Sequence, residues 1–165
     1  ESGKLRVSGL MTVHRVRIAK KQAFLVQALT MGKEKKGTFD TYADVIMFAA
    51  AYGGKHQRYV PITTGISKDP APISLEIFLS RGYDWVIKLI AIAHCQDAGI
   101  LSPYDSQAQV QRIMLLEGFA NGGLELLENE LRGAVDYSDR LLLILNQERF
   151  PSSSPPPNFD LTRFL

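Results

Sequence analysis

The stretch that decides the fold, Thr38 to Ile62, reads TFDTYADVIMFAAAYGGKHQRYVPI. Thr41 and Asp44 have the spacing of a capping box, in which two side chains close the first turn of a helix, and Asp40 is a competing N-cap. Apolar residues then recur with the period of one helix face, at Val45, Phe48, Ala49 and Tyr52. The pattern predicts a buried helix that starts near residue 41.

The residues that follow predict how this helix ends. Gly53 and Gly54 can supply a left-handed C-terminal stop. A basic turn comes directly after them, formed by Lys55, His56 and Arg58. A short apolar run then allows a second short strand near residues 57–62. The stretch therefore predicts a buried helix that carries a basic turn to the protein surface.

The whole chain is predicted to be mainly α, with one compact helical domain over residues 11–149 and a short strand at residues 13–18. An apolar content of 45% in 165 residues is enough for one sizeable core. Residues 1–10 precede Met11 and are expected to be an extension from outside the natural chain. Helices are predicted at residues 20–31, 83–96, 106–120, 124–131 and 137–147. Residues 73–79 can form a strand or a helix, with the helix favoured.

Two of these helices carry specific expectations. The most apolar one, residues 83–96, is predicted to lie in the core with five buried residues: Trp85, Val86, Leu89, Ile90 and Ala93. Asn121-Gly122-Gly123 is predicted to interrupt the acidic helices, with a glycine at positive φ so that two helices meet at an angle. The acidic cluster that follows is expected to be a solvated face or a docking surface for a basic partner, and comprises Glu125, Glu128 and Glu130.

Cysteine content and hydropathy predict a cytoplasmic protein. Cys95 is the only cysteine, which excludes an internal disulfide and favours a reducing compartment. The first ten residues lack the apolar segment of a secretory signal. No apolar run approaches the roughly 18 residues that a membrane span requires, so no membrane partner is expected.

The net charge of +2 hides a strong asymmetry between the two parts of the chain. Residues 1–60 carry +7, whereas residues 61–165 carry −5. A basic segment of this kind is typical of contact with an anionic partner, most often nucleic acid. The alternative is that the two parts neutralise one another within the chain or across a dimer.

The element order also resembles ribbon-helix-helix DNA-binding proteins, in which paired strands from two copies enter the major groove. Arg15 and Arg17 would then face the bases, because arginine suits guanine edges, although arginines on edge strands are often merely solvated. The predicted DNA-binding surface comprises Arg15, Arg17, Lys20, Lys21, Lys35, Lys36, Lys55, His56 and Arg58. A transcriptional regulator of this type and a homo-oligomer stay open as alternatives.

Sequence patterns for catalysis, cofactors or metals are missing. There is no Gly-rich phosphate-binding loop, and the lone cysteine has no partner at zinc spacing. His94 and Cys95 are neighbours on a predicted helix, so their side chains point about 100° apart and do not form a nucleophile–base pair. The sequence therefore predicts a protein that is not an enzyme and has no cofactor or metal.

The final segment, residues 150–165, is a Pro/Ser-rich tail. Its prolines block a regular helix, yet its end is apolar. The tail is predicted to dock as a short peptide in a groove on this chain, on a second copy or on a partner. A frayed terminus is the alternative. The predicted docking residues are Phe159, Leu161, Phe164 and Leu165.

Several blocks of the sequence together resemble the Dnd system-associated protein 4 family. The blocks are TYADVIMFAAAYGGKHQRYVPI, PISLEIFLSRGYDWVIKLIAIA, and EGFANGGLELLENEL with a closing YSDRLLLIL. The resemblance runs from about Val13 to Leu145 and places the tail after Arg149 outside it. The family blocks map onto residues 48–50, 53–56 and 120–124.

The resemblance implies a small bacterial protein encoded beside DNA phosphorothioation genes. It implies a role in phosphorothioate-dependent restriction, which attacks unmodified foreign DNA and spares sulfur-modified DNA. The resemblance does not imply an enzymatic activity and assigns no catalytic residues. Together with the charge pattern, it predicts a non-catalytic accessory of an antiviral restriction–modification system that binds DNA through its basic N-terminal third and contacts other phosphorothioation or restriction proteins. The alternative is an adaptor whose acidic helices dock a larger restriction or modification subunit.

Overall fold

A computed structural model of the protein describes residues 14–30 and 37–150. Within these residues the strands are β1 (Arg15–Val16) and β2 (Ile73–Ser74), and the helices are α1 (Ala23–Leu29), α2 (Tyr42–Lys55), α3 (Leu75–Ser80), α4 (Asp84–Cys95), α5 (Ser106–Leu131) and α6 (Tyr137–Arg149). The predicted mainly α fold with a short N-terminal strand is confirmed. Across the described ranges, no helix is both long enough and apolar enough to cross a bilayer.

The start of α2 confirms the predicted capping box. The Asp44 backbone N–H donates to the Thr41 hydroxyl, and the Thr41 backbone N–H donates to the Asp44 carboxylate at 3.1 Å. The end of α2 differs from the prediction, because the pair Gly53–Gly54 continues the helix. The left-handed residue is Gln57 instead, with φ 53°. The basic turn still follows the helix directly.

The segment after α2 is bound to a helix rather than to a strand. The backbone N–H of Val60 donates to the Gly118 carbonyl of α5 at 3.0 Å. The predicted second strand near residues 57–62 is therefore wrong, because α5 satisfies backbone groups that a neighbouring strand would otherwise bind. The second strand is β2, where Ile73 lies opposite Val16.

The pairing of β1 differs from that of a ribbon-helix-helix protein. That arrangement requires β1 to pair with the same strand of a second copy, whereas β1 pairs with β2 of its own chain. The predicted alternation along the strand is confirmed, since Val16 and Ile18 are buried while Arg15 and Arg17 are exposed. The strand therefore anchors the N-terminal segment to the core.

Helices α2 and α5 approach each other through glycines, and we call this contact the glycine seam: Gly53 of α2 against Gly123 of α5. A Cβ added at Gly53 would lie 2.9 Å from the backbone nitrogen of Gly123 and would overlap the Phe119 carbonyl oxygen. A Cβ at Gly123 would overlap the carbonyl oxygen of Ala49. Only glycine lets the two backbones come this close.

The glycine seam explains why the predicted break at Asn121-Gly122-Gly123 is wrong. Helix α5 is continuous from Ser106 to Leu131. Among glycines of the described ranges, positive φ occurs instead at Gly82 and Gly133. The Gly-Gly pair in α5 thus serves close packing rather than a change of direction.

Helix α4 matches its predicted bounds to within a residue, but not its predicted burial. Ile90 is buried, as predicted, whereas Val86 is only half-buried. In contrast, Trp85 is 80% exposed, Leu89 is 65% exposed and Ala93 is exposed. The predicted core helix is therefore a surface helix that turns an apolar face outward.

Candidate docking site

Most of the predicted DNA-binding residues that the structure describes form ion pairs with carboxylates of α5 and α6. Arg17 pairs with Glu117, Lys21 and Arg58 pair with Glu125, and Lys55 and His56 pair with Glu148. Lys35 and Lys36 lie outside the described residues. The basic and acidic parts of the chain therefore meet within one molecule, which is one of the two alternatives that the charge pattern leaves open.

Arg17 makes the most extensive of these contacts. Its Nη2 lies 2.7 Å from Oε2 of Glu117, and its backbone N–H donates to Oε1 at 2.8 Å. Glu117 is only 4% exposed, so these bonds offset the cost of burying its carboxylate. Hydrogen bonding to Glu117 raises the pKa of the Arg17 guanidinium. Arg17 thus joins the end of β1 to α5, a structural role that the sequence prediction did not include.

Glu125 on α5 binds two of the predicted residues at once. Arg58 donates from Nη2 to Oε2 at 3.0 Å, and Lys21 donates to Oε1. Hydrogen bonding from Lys21, supported by Arg58, holds the pKa of Glu125 below its usual range. Part of the acidic cluster is therefore already occupied by basic residues of the same chain.

Glu148 in the last turn of α6 likewise binds two basic residues at once, both from the basic turn. His56 Nε2 lies 2.6 Å from Oε1, and Lys55 pairs with Oε2. Hydrogen bonding from Lys55 and then from His56 lowers the pKa of Glu148. These contacts hold the C-terminal end of α6 against the C-terminal end of α2.

Arg15 and Lys20 differ from the other predicted residues. Both are exposed, and neither forms an ion pair with any residue of the ranges 14–30 and 37–150. They are thus the members of the predicted DNA surface that keep an uncompensated charge in the described part of the chain.

The buried Asp44 carboxylate at the start of α2 has two partners that the sequence prediction missed, Arg81 and Tyr83. Arg81 donates from Nε and Nη2 to the two oxygens of Asp44, both at 2.7 Å, and the Tyr83 hydroxyl donates to the same carboxylate. Burial by itself would raise the pKa of Asp44, but the hydrogen bonds from Tyr83, Thr41 and Arg81 together hold it below its usual range. This cluster ties α2 to the turn before α4.

A groove of about 610 Å³ opens between α2, α4 and α5, and we call it the α4 groove. Its walls are mainly apolar and include Gly54, Tyr59, Val86, Leu89, His94 and Phe119. The volume falls within the range of ligand-binding pockets. The arrangement can therefore accept apolar side chains of a binding partner.

Three aromatic rings that contact one another line the α4 groove. The Tyr59 ring stacks on His94 at a centroid distance of 5.9 Å, and Phe119 meets both rings edge-on at 5.3 Å. Gly118 makes this possible, because a Cβ there would overlap the Tyr59 ring. The chain after the basic turn is thus fixed as a wall of the groove.

An apolar stripe on α4 continues the groove onto the surface. Trp85, Leu89 and Ala93 are spaced by four residues, which places them on one side of the helix. Leu89 and Ala93 also line the α4 groove, so the stripe and the groove form one surface. Contiguous exposed apolar surface of this kind marks sites of interaction.

Two further points of the sequence analysis concern metal ligands and the C-terminal tail. Over residues 14–30 and 37–150, no group of three or more His, Cys, Asp or Glu side chains could hold a metal ion. The tail residues with predicted docking roles lie outside the described residues, so their role stays a prediction: Phe159, Leu161, Phe164 and Leu165.

The fold and the α4 groove define a small helical protein with an exposed apolar groove and internally paired charges. The chain belongs to the family described as DNA sulphur modification system-associated protein 4, with a match over residues 15–164. This family is associated with DNA sulphur modification (Dnd) systems in an accessory role, and the resemblance found in the sequence is confirmed. The match includes nearly all of the tail, so the expectation that the tail lies outside the family is wrong. Comparison with curated proteins and with solved structures gives no match.

Proposed function

We propose that this protein is an adaptor of a DNA sulphur modification system. It docks a larger restriction or modification subunit through the α4 groove and the stripe of Trp85, Leu89 and Ala93. The observation that carries the proposal is the outward apolar face of α4 beside a groove of about 610 Å³. Burying this face in an interface would remove apolar surface from water, which is the main favourable term in protein association. The catalytic steps of restriction, and hence of defence against phage, belong to the partner.

The internal ion pairs support a protein partner over a DNA partner. Phosphate contacts require cations that can exchange small counterions for DNA. Glu117, Glu125 and Glu148 already form ion pairs with five of the predicted basic residues. DNA would have to compete with these carboxylates, whereas the α4 face has no such competitor among the described residues.

Co-purification with each restriction and modification protein of the system tests the proposal. The complex is expected to survive nuclease treatment and high salt, because apolar contacts are insensitive to both. Trp85→Ser or Leu89→Ser should weaken it about tenfold or more, as central apolar anchors often do. Phe24→Ser is the matched control, since Phe24 is 76% exposed on α1. Equal retention of all three variants, or loss of the complex with nuclease, would overturn the adaptor role.

DNA binding through the basic N-terminal third is a second candidate function. It is favoured by Arg15 and Lys20, which are exposed and unpaired within the described ranges. A gel-shift titration of duplex DNA at several salt concentrations tests it, because binding through phosphates weakens steeply with salt. Arg15→Glu with Lys20→Glu should abolish the shift, whereas Lys68→Glu, an exposed lysine outside the predicted surface, should not. Identical binding by both variants would exclude this surface.

A further inference from the structure

The chain leaves its last helix at the edge of the α4 groove. Glu148 in the last turn of α6 pairs with Lys55, and Lys55 lines the groove. His56 holds the same carboxylate at 2.6 Å, which fixes this end of α6 a second time. Phe150 follows two residues later and is exposed. The tail therefore starts beside the groove and not at a distant part of the molecule.

The first part of the tail has the composition of a short tether. Residues 151–157 consist of prolines and serines only. Pro-rich chain extends about 3.1 Å per residue, so this tether spans up to about 20 Å. That reach exceeds the width of a compact groove of about 610 Å³. The residues after the tether can thus reach every part of the α4 groove.

The second part of the tail has the chemistry that the groove accepts. Leu161, Phe164 and Leu165 have the i, i+3, i+4 spacing of apolar anchors in peptides that bind grooves. The groove offers aliphatic and aromatic walls to such anchors, for example Leu89 and Phe119. The family match runs to residue 164, so it includes most of this segment together with the residues of the groove.

We propose that the tail segment 159–165 occupies the α4 groove of its own chain and competes there with the partner protein. The competition rests on the proposed function, but occupancy of the groove does not. A short tether gives an attached segment an effective concentration of about millimolar. Even a weakly binding segment therefore covers the apolar groove while no partner is present, and a partner must displace it.

Amide NMR spectra of the full chain test the occupancy of the groove without any partner. Phe164→Ser with Leu165→Ser should shift the resonances of Leu89, Ile90 and His94 while leaving those of β1 in place. Ser153→Ala with Ser154→Ala, in the tether, is the matched control and should leave the groove resonances unchanged. The shifts should not depend on protein concentration. Groove resonances that ignore the double serine variant would overturn the proposal, and concentration-dependent shifts would replace it with a tail from a second copy.

Partner binding then separates this inference from the proposed function. If the tail competes, Phe164→Ser with Leu165→Ser should strengthen partner binding about tenfold. A partner affinity that the double variant leaves unchanged overturns the competition. If the double variant shifts the groove resonances as expected but no system protein is captured, the proposed function alone is overturned. Capture through Trp85 and Leu89 without NMR shifts would overturn the tail contact alone.

Discussion

The glycine seam and the α4 groove start at neighbouring residues of α2 and differ in how completely they are filled. Gly53 faces α5, where even a Cβ finds no room. Gly54, the next residue, faces α4, where the nearest atom to an added Cβ is Ile90 Cγ1 at 3.8 Å. One side of α2 thus packs directly against the backbone of α5, whereas the other side borders a groove. The contrast separates surface that holds the fold together from surface that is available for binding.

The largest expected effect comes from closing the glycine seam. Gly123→Ala places a methyl group on the Ala49 carbonyl and must push α2 and α5 apart. We expect a loss of about 3 kcal/mol or more in the free energy of unfolding, because rigid backbone cannot relax around the added atom. Urea unfolding followed by circular dichroism measures this loss.

Gly54→Ala is the matched control for that change. It replaces a glycine in α2, the helix that Gly123 packs against, but the added methyl group meets only ordinary van der Waals contact. The better helix propensity of alanine should make it neutral or stabilising by up to about 1 kcal/mol. If both variants lose the same stability, the loss at Gly123 does not come from the close approach of the helices.

A smaller effect is expected from two arginines that the sequence treats alike. Arg17→Ala leaves the buried Glu117 carboxylate without its guanidinium partner. We expect a cost of about 1–2 kcal/mol, moderated because the Arg17 side chain is partly exposed. Arg15→Ala should cost less than about 0.5 kcal/mol, since an exposed residue without an ion pair contributes little. Thermal unfolding of both variants measures the difference between these costs. Equal midpoints would contradict the structural role of Arg17.

Acid should lower the stability of the fold, because it weakens the ion pairs that three carboxylates form between the helices and their neighbours. The pKa values of Asp44, Glu125 and Glu148 are all held below their usual range. A carboxylate with a lowered folded pKa stabilises the protein above its unfolded pKa of about 4, and that contribution disappears as the pH falls through the folded value. The urea midpoint should therefore fall as the pH is lowered from about 5 to 2.

Asp44→Asn is the variant that sharpens the pH prediction. It should lower the midpoint at pH 7 and make the remaining decrease below about pH 5 shallower. A midpoint that stays constant over the same range in the unchanged protein would show that these carboxylates have ordinary pKa values in the folded state.

Local signals predict the helices well because they depend on near neighbours along the chain. The capping box of Thr41 and Asp44 is confirmed, and so are the bounds of α4. The Gly-Gly pairs are misassigned because a glycine that ends a helix and a glycine that admits another backbone look the same in sequence. Only the tertiary partner, Ala49 for Gly123, tells them apart.

The candidate site depends on long-range contacts and was therefore only partly predictable. The basic turn was located correctly, but its carboxylate partners lie far along the chain, as Glu148 does from Lys55. Helix α4 is apolar over most of its surface apart from Asp84 and Lys88, which usually indicates extensive burial. Trp85 is exposed because no helix or strand of the described ranges packs over its side of α4. The sequence near Trp85 does not indicate whether such an element is present.

The smallest expected effect on stability comes from the exposed face of α4. This helix has both a buried and an exposed face, so the two kinds of surface can be compared within one helix. Trp85→Ser should change the free energy of unfolding by less than about 0.5 kcal/mol, because a side chain that is 80% exposed gains little from folding. Ile87→Ala, two residues later, should cost about 2–4 kcal/mol, since Ile87 is buried and its loss leaves a cavity. Urea unfolding of both variants at low protein concentration measures the difference. A large cost for Trp85→Ser would mean that the outer face of α4 is covered in the isolated chain, and the stripe would then be part of the core rather than a surface for a partner.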